Sequence, residues 1–217
     1  MNKNVIRSLA ATLLVAGAAI VPAHAATIMF TDDFSSITTT ATPGSPLNWT
    51  TINGTVDSIK SGDWFLTCVG GAGGCVDLDG SSNNAGTMYT NETFDLVAGT
   101  TYQLTAYVSG NQLGSRYPDR GPDSLLFGFL SAGVAVDQPN STKFIATILA
   151  GDPFTQVLLE FTPTENVTAS IFFETGGGDN VGPILDNVRL TAVPLPAAAW
   201  LLLSGLVGFA ALGRRKV

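Results

Sequence analysis

Residues 101–108 read Thr-Tyr-Gln-Leu-Thr-Ala-Tyr-Val. In an extended chain Tyr102, Leu104, Ala106 and Val108 share one face, the period of two that marks a half-buried strand. The pattern recurs outward from this stretch. Val157, Leu159 and Phe161 oppose Gln156, Leu158 and Glu160, while Val167, Ala169, Ile171 and Phe173 form another set, followed by Ile184, Val188 and Leu190. Turn residues separate these runs: Ala98-Gly99, Gly110-Asn111, Gly151-Asp152-Pro153, Pro163 and residues 176–180. The body is rich in Thr, Val, Phe and Gly, and no long amphipathic helix competes. Many short strands joined by polar turns predict an all-β antiparallel β-sandwich. Residues 38–46 (TTTATPGSP) read as an exposed loop. Residues 117–122 (YPDRGP) read as a second one, between the strand ending near Val108 and a strand over 124–130.

The two ends follow different rules. Lys3 and Arg7 precede an uncharged apolar run over 9–21, then Pro22, Ala23, His24 and Ala25. A basic start, a short apolar stretch and a small-residue cleavage site predict a signal peptide over 1–25, cut after Ala25. An uncut membrane anchor is the alternative, but the run is shorter than the roughly 18–20 residues that cross a bilayer. Residues 193–217 read VPLPAAAWLLLSGLVGFAALGRRKV, uncharged as far as Gly213 and then basic at Arg214, Arg215 and Lys216. At about 1.5 Å per residue this stretch can cross a membrane core as one helix. The basic tail prefers the cytoplasmic side and Trp200 suits the outer interface. Residues 26–192 are thus expected outside, as one domain between the signal-peptide helix and a C-terminal transmembrane helix.

Charge divides unevenly between these parts. All 17 acidic residues lie in 26–192, with only Lys60, Arg116, Arg120, Lys143 and Arg189 to balance them. Five basic against seventeen acidic residues leave a domain charge near −12. Nucleic acid is an unsuitable partner, because phosphate binding needs a basic footprint. The one histidine, His24, is in the expected signal peptide, so the domain lacks the base of Ser-His-Asp, Cys-His and HExxH chemistry. Paired carboxylates remain open as a hydrolytic device, although nothing marks one pair. Cys68 and Cys75 are the only two cysteines and flank a Gly-rich loop, CVGGAGGC. In an oxidising exported setting they read as a disulfide. A metal or redox pair is the alternative, but no further Cys or His remains for a zinc site.

The C-terminal sequence, with Val193, Pro194, Leu195 and Pro196, an apolar helix and the basic tail, resembles the PEP-CTERM sorting signal in its VPLPAAAW form. Leu195 stands where the type motif has Glu. The resemblance implies recognition of the proline motif by an exosortase, an integral-membrane protease that cleaves or transfers the protein. A second resemblance covers most of residues 32–190. DDFSS, NWTTINGTVDSI, FDLVAGTTYQLTAYVSGNQ and GDNVGPILDNVRL are similar to the galactose-binding-like jelly rolls, a group with many carbohydrate-binding modules. It implies a jelly roll, and a structural calcium between the first strand and an Asp of the last. That transfers to Asp33 and Asp186, and also to Asp32.

Asp186 stands out without the resemblance as well. It has the parity of Ile184, Val188 and Leu190 and so points to the core side, where a carboxylate needs a partner. A hydrogen-bonded Asp at a strand edge and a calcium ligand both fit. For a sugar, an exposed aromatic paired with amide, carboxylate or Arg groups is the expected chemistry. Trp64, Tyr107, Asn111, Gln112, Arg116, Tyr117 and Asp119 are the candidates. Trp64 equally fits a core position, and Arg116 and Asp119 a solvent-facing ion pair. The stretch with Asp77, Asp79, Asn83 and Asn84 offers oxygen donors for another cation, but lacks the spacing of an EF-hand loop and reads as a polar turn. Taken together, these features predict a non-enzymatic, exported protein, membrane-anchored at the cell surface and then released to the extracellular matrix. Its expected role is structural and exopolysaccharide-associated. A lectin-like module with a specific glycan ligand is the alternative, and a two-carboxylate hydrolase the third reading.

Overall fold

The computed structural model describes residues 25–82, 84–113, 116 and 122–193. The expected signal peptide up to His24, the transmembrane helix, and Arg214, Arg215 and Lys216 lie outside them. Among the described residues the strands run β1 (Thr27–Asp32), β2 (Trp49–Ile52), β3 (Asp57–Lys60), β4 (Gly74–Asp77), β5 (Thr87–Thr90) and β6 (Phe94–Leu96). They continue as β7 (Thr101–Ser109), β8 (Asp123–Ser131), β9 (Val134–Ala135), β10 (Thr142–Ile148), β11 (Thr155–Phe161), β12 (Val167–Thr175) and β13 (Ile184–Val193).

These strands form two sheets. The first has the order β11-β7-β13-β4-β3, with β1 also paired to β13. In the second the order is β10-β8-β12-β5-β2, with β6 on β12 and β9 on β8. Each of these strand pairs is antiparallel, from β1 on β13 through β8 on β9. The expected all-β antiparallel sandwich is therefore the fold found. The first and last strands are neighbours, with Asp32 opposite Val188.

The alternation of residues 101–108 sets the interior. Tyr102, Leu104, Ala106 and Val108 are all buried, as are Leu159 and Phe161 on β11. They meet Leu125, Phe127, Phe129, Ile171 and Phe173 of the second sheet in one core. Phe129 packs on Phe161 across the two sheets at 5.3 Å between ring centroids, and Phe127 stacks on Phe173 at 5.7 Å. Contacts of this size supply the apolar burial that holds a sandwich closed.

One expectation of parity fails on β13. Leu185, Val188 and Leu190 face the main core, whereas Ile184 belongs to a smaller cluster with Ile59, Leu66, Cys68 and Cys75. A bulge is the cause. Between Asp186 and Arg189 the strand uses three steps against two on β7, from Tyr107 to Thr105, and Asn187 takes φ 50°. The extra residue reverses the facing of everything before it. Asp186 therefore points away from the main core, toward the loop closed by Cys68 and Cys75.

Candidate functional site

The segment between β3 and β4 carries the most unusual backbone near a cleft. Gly62, Trp64 and Phe65 all have positive φ, at 94°, 55° and 66°. Glycine adopts this region freely, but for two adjacent bulky aromatics it is uncommon and costs on the order of 1–3 kcal/mol each. The surroundings hold the turn in place. The Gly62 amide donates to the Leu66 carbonyl at 2.8 Å, the Leu66 amide to the Asp63 carbonyl at 2.9 Å, and the Thr40 hydroxyl to Asp63 Oδ2 at 2.7 Å. Leu66 is buried beneath and the Cys68–Cys75 disulfide closes the far side, with a Cα–Cα distance of 5.5 Å.

This turn leaves the two rings in solvent, with Trp64 62% and Phe65 71% exposed. The guanidinium of Arg116 lies 4.1 Å from the centre of the Phe65 ring, a cation–π contact. Beside Trp64 a cleft of about 280 Å³ opens, lined also by Thr42, Asp57, Ile59, Leu66 and Asp77. Asp57 and Asp77 sit directly opposite one another on β3 and β4. Like charges at such a position repel. Asp57 takes the Ser81 amide and hydroxyl, and Asp77 Oδ1 takes the amides of Asp79 and Gly182, both at 3.0 Å. Burial pushes the Asp77 carboxyl well above its ordinary range and Asp57 upward as well, against the pull of these hydrogen bonds. An exposed aromatic ring over a cleft lined by carboxyls can hold a ligand that has one apolar face and hydroxyls at its edge.

The sequence-predicted residues separate into groups. Trp64 is exposed at the cleft rather than in the core, and Arg116 stands beside it on Phe65. Tyr107 and Gln112 line a different, more open depression of about 660 Å³ with Gly70, Gly71, Pro153 and Phe154. Gln112 is occupied there by the Thr67 backbone, accepting from its amide at 2.8 Å and donating to its carbonyl at 2.9 Å. Asn111 is fully buried, with Oδ1 accepting from the Leu113 amide at 2.7 Å and Nδ2 without a partner. Tyr117 and Asp119 lie outside the described residues, as do Pro194, Leu195 and Pro196. Val193 ends β13 opposite Thr101.

Phe65 and Asp57 were absent from the sequence reading, and Asp77 entered it only as an oxygen donor in a polar turn. The readable signal for Phe65 is Gly62-Asp63-Trp64-Phe65, two large aromatics in a turn too short to bury both. The pairing of Asp57 with Asp77 depends on strand register and has no local signal.

Asp32, Asp33 and Asp186 form a second acidic group. Asp32 accepts the Phe34 amide and the Trp49 indole N–H, each at 2.8 Å, and Asp33 accepts the Ser35 amide at 3.0 Å. Asp186 takes the Asn187 amide at 2.7 Å on Oδ1 and the Val69 amide at 2.8 Å on Oδ2. Burial raises the Asp186 pKa to about 6, these amides pull it down, and Asp33 and Asp32 push it up. Hydrogen bonds from Ser35 hold Asp33 below the ordinary value. Each of the three carboxylates is nevertheless engaged by the chain's own donors. Among the described residues no three Asp, Glu, His or Cys side chains converge as a metal-holding set.

The sandwich is similar to solved structures at the level of fold. A cyclase from Fischerella sp. TAU matches at 15% identity and a TM-score of 0.57, covering 78% of this chain and 98% of that one. The C-terminal family 22 carbohydrate-binding module of Clostridium thermocellum Xyn10B matches at 16% identity, with coverage of 76% and 93% and a TM-score of 0.45. The K1 cleaved adhesin domain of Lys-gingipain from Porphyromonas gingivalis W83 matches at 14% identity, with coverage of 77% and 98% and a TM-score of 0.44. No family model matches the sequence, and no curated protein does. At these identities the likeness is one of fold.

Proposed function

We propose that the chain is an exported, surface-associated β-sandwich of the galactose-binding-like jelly-roll kind, whose β3–β4 turn binds a glycan. The observation that carries this reading is the adjacent pair Trp64 and Phe65, held exposed by a left-handed backbone, with Trp64 on a cleft lined inside by Asp57 and Asp77. Exposed aromatics stack on the apolar face of a pyranose, and the carboxyls and Arg116 meet its hydroxyls. Export, sorting by an exosortase at Val193, Pro194, Leu195 and Pro196, and release to the cell surface or extracellular matrix belong to the same reading and rest on the terminal sequences. A calcium at Asp32, Asp33 and Asp186 belongs to it through the jelly-roll resemblance, where a cation would offset the push of Asp33 and Asp32 on Asp186. The chain is read as non-enzymatic.

The test is a glycan array probed with the full-length chain in mild detergent, alongside Trp64→Ala and Arg116→Ala. Saturable binding to a defined glycan, reduced at least about 10-fold in W64A as stacking is lost, supports the reading. A flat array refutes it and favours the structural, exopolysaccharide-associated role. Release of reducing sugar from the bound polysaccharide would refute the non-enzymatic part alone.

A further inference from the structure

Two buried carboxylates on the other side of the β4 end are incompletely satisfied. Asp79 is 0% exposed and Asp123 5%. Oδ1 of Asp79 and Oδ2 of Asp123 have no hydrogen-bond donor. Such atoms are rare in folded proteins and call for an explanation. Asp79 follows β4, and the loop between β12 and β13 wraps its other oxygen: Oδ2 accepts the amides of Gly178 at 2.6 Å and Asp179 at 2.9 Å. The wrap requires glycine. A Cβ on Gly177 would collide with the Asp79 carboxylate, and one on Gly182 would stand 2.6 Å from Asp79 Cβ.

Asp123 opens β8 beside the same loop: the Thr175 hydroxyl donates to the Ser124 carbonyl at 2.6 Å, and a Cβ on Gly176, one residue before the glycine that packs on Asp79, would stand 2.7 Å from Ser124 Oγ. Asp79 and Asp179 both act against the Asp123 charge. Asp57 and Asp77 stand against Asp79 as well, although their own oxygens are engaged by Ser81 and by the Asp79 and Gly182 amides. Carboxyls are thus crowded where two of their oxygens stand open and buried.

We propose that the open oxygens of Asp79 and Asp123 hold a calcium ion between the end of β4 and the start of β8, distinct from Asp32, Asp33 and Asp186. Hard oxygen donors select calcium or magnesium, and calcium tolerates an irregular shell. Two carboxylates with backbone carbonyls and water suit it better than the strict octahedron of magnesium. The ion also has a consequence for the cleft. It anchors the β12–β13 loop through Asp79, and that loop contributes Asn180 and Val181 to the wall beside Trp64.

The experiment uses the full-length chain in mild detergent, stripped with EGTA and titrated with calcium chloride by calorimetry, with melting temperature in parallel. Wild type is expected to bind calcium and to melt about 5 °C higher at about 100 times the dissociation constant. Asp123→Asn weakens the binding at least about 10-fold, whereas Asp186→Asn, which alters the other acidic group, retains it. Asp79→Asn is expected to match Asp123→Asn; if it fails to fold, Asp123→Asn decides alone. Calcium binding identical in wild type and Asp123→Asn would overturn the site. So would a wild type that binds no calcium; Asp123→Asn melting higher than it at pH 8 would then mark a proton shared between the two carboxyls.

Discussion

Replacing both cysteines by alanine tests the frame of the candidate cleft, and its cost follows from the structure. The cross-link joins residues with a sequence separation of 7. On the chain-entropy relation, releasing such a loop in the denatured state costs about 2.4 kcal/mol. A second contribution comes from the folded side. Cys68 and Cys75 are both buried against Ile59, Leu66 and Ile184, so removing two sulfurs leaves methyl-sized voids at about 1 kcal/mol each. The expected loss is about 4 kcal/mol, or about 8–16 °C in melting temperature for a domain of this size. The assay is thermal and urea unfolding of wild type and Cys68→Ala/Cys75→Ala in oxidising buffer. The urea m-value should rise in the variant, because its denatured chain is no longer cross-linked. A shift below about 3 °C with an unchanged m-value would refute the reasoning, since the loop would then be ordered without its cross-link.

Stability in excess chelator should respond to pH through Asp186. Its folded pKa of about 6 lies above the unfolded value, so between about pH 4 and 6 the folded state binds more protons. Stability therefore falls as pH rises through that window, and acidifying from pH 7 to 5 adds about 1 kcal/mol from this group. Asp186→Asn should flatten that part of the urea-midpoint profile, and an unchanged slope would contradict the assignment. In the core, Phe173→Ala removes a fully buried ring that packs on Phe127 and Trp49, and should cost about 3–5 kcal/mol in urea denaturation. A loss under 1 kcal/mol would mean that the two sheets do not close on these rings.

The sandwich was legible because its interior is written locally. Each of Tyr102, Leu104, Ala106 and Val108 can be assigned to one face from a window of eight residues, and the same holds for Val157, Leu159 and Phe161. The lapse at β13 has a physical source. Period two holds only while the strand is regular, and the bulge at Asn187 is set by pairing with β7. No local pattern in Ile184-Leu185-Asp186-Asn187-Val188 reports that extra residue. Asp186 was rightly singled out as a carboxylate needing partners, but the facing inferred for it was wrong.

The site was less legible for the same reason in stronger form. Trp64 and Arg116 were picked out by chemical type, and type says nothing about burial. Trp64 is exposed because its backbone turns left-handed, and that turn is held by Asp63, Leu66 and the disulfide rather than by Trp64 itself. Asn111 shows the converse: an amide picked out for its chemistry lies inside, with its oxygen on the Leu113 backbone. The acids that line the cleft, Asp57 and Asp77, come together only through the β3–β4 register, and Asp79 and Asp123 belong to different sheets, one following β4 and the other opening β8. Polar residues that act together here come from strands distant in the chain, whereas the apolar residues that build the core recur within one strand. An acid-rich sandwich of this kind therefore reveals its scaffold to a local reading, and its charge clusters emerge only when the strand order is known.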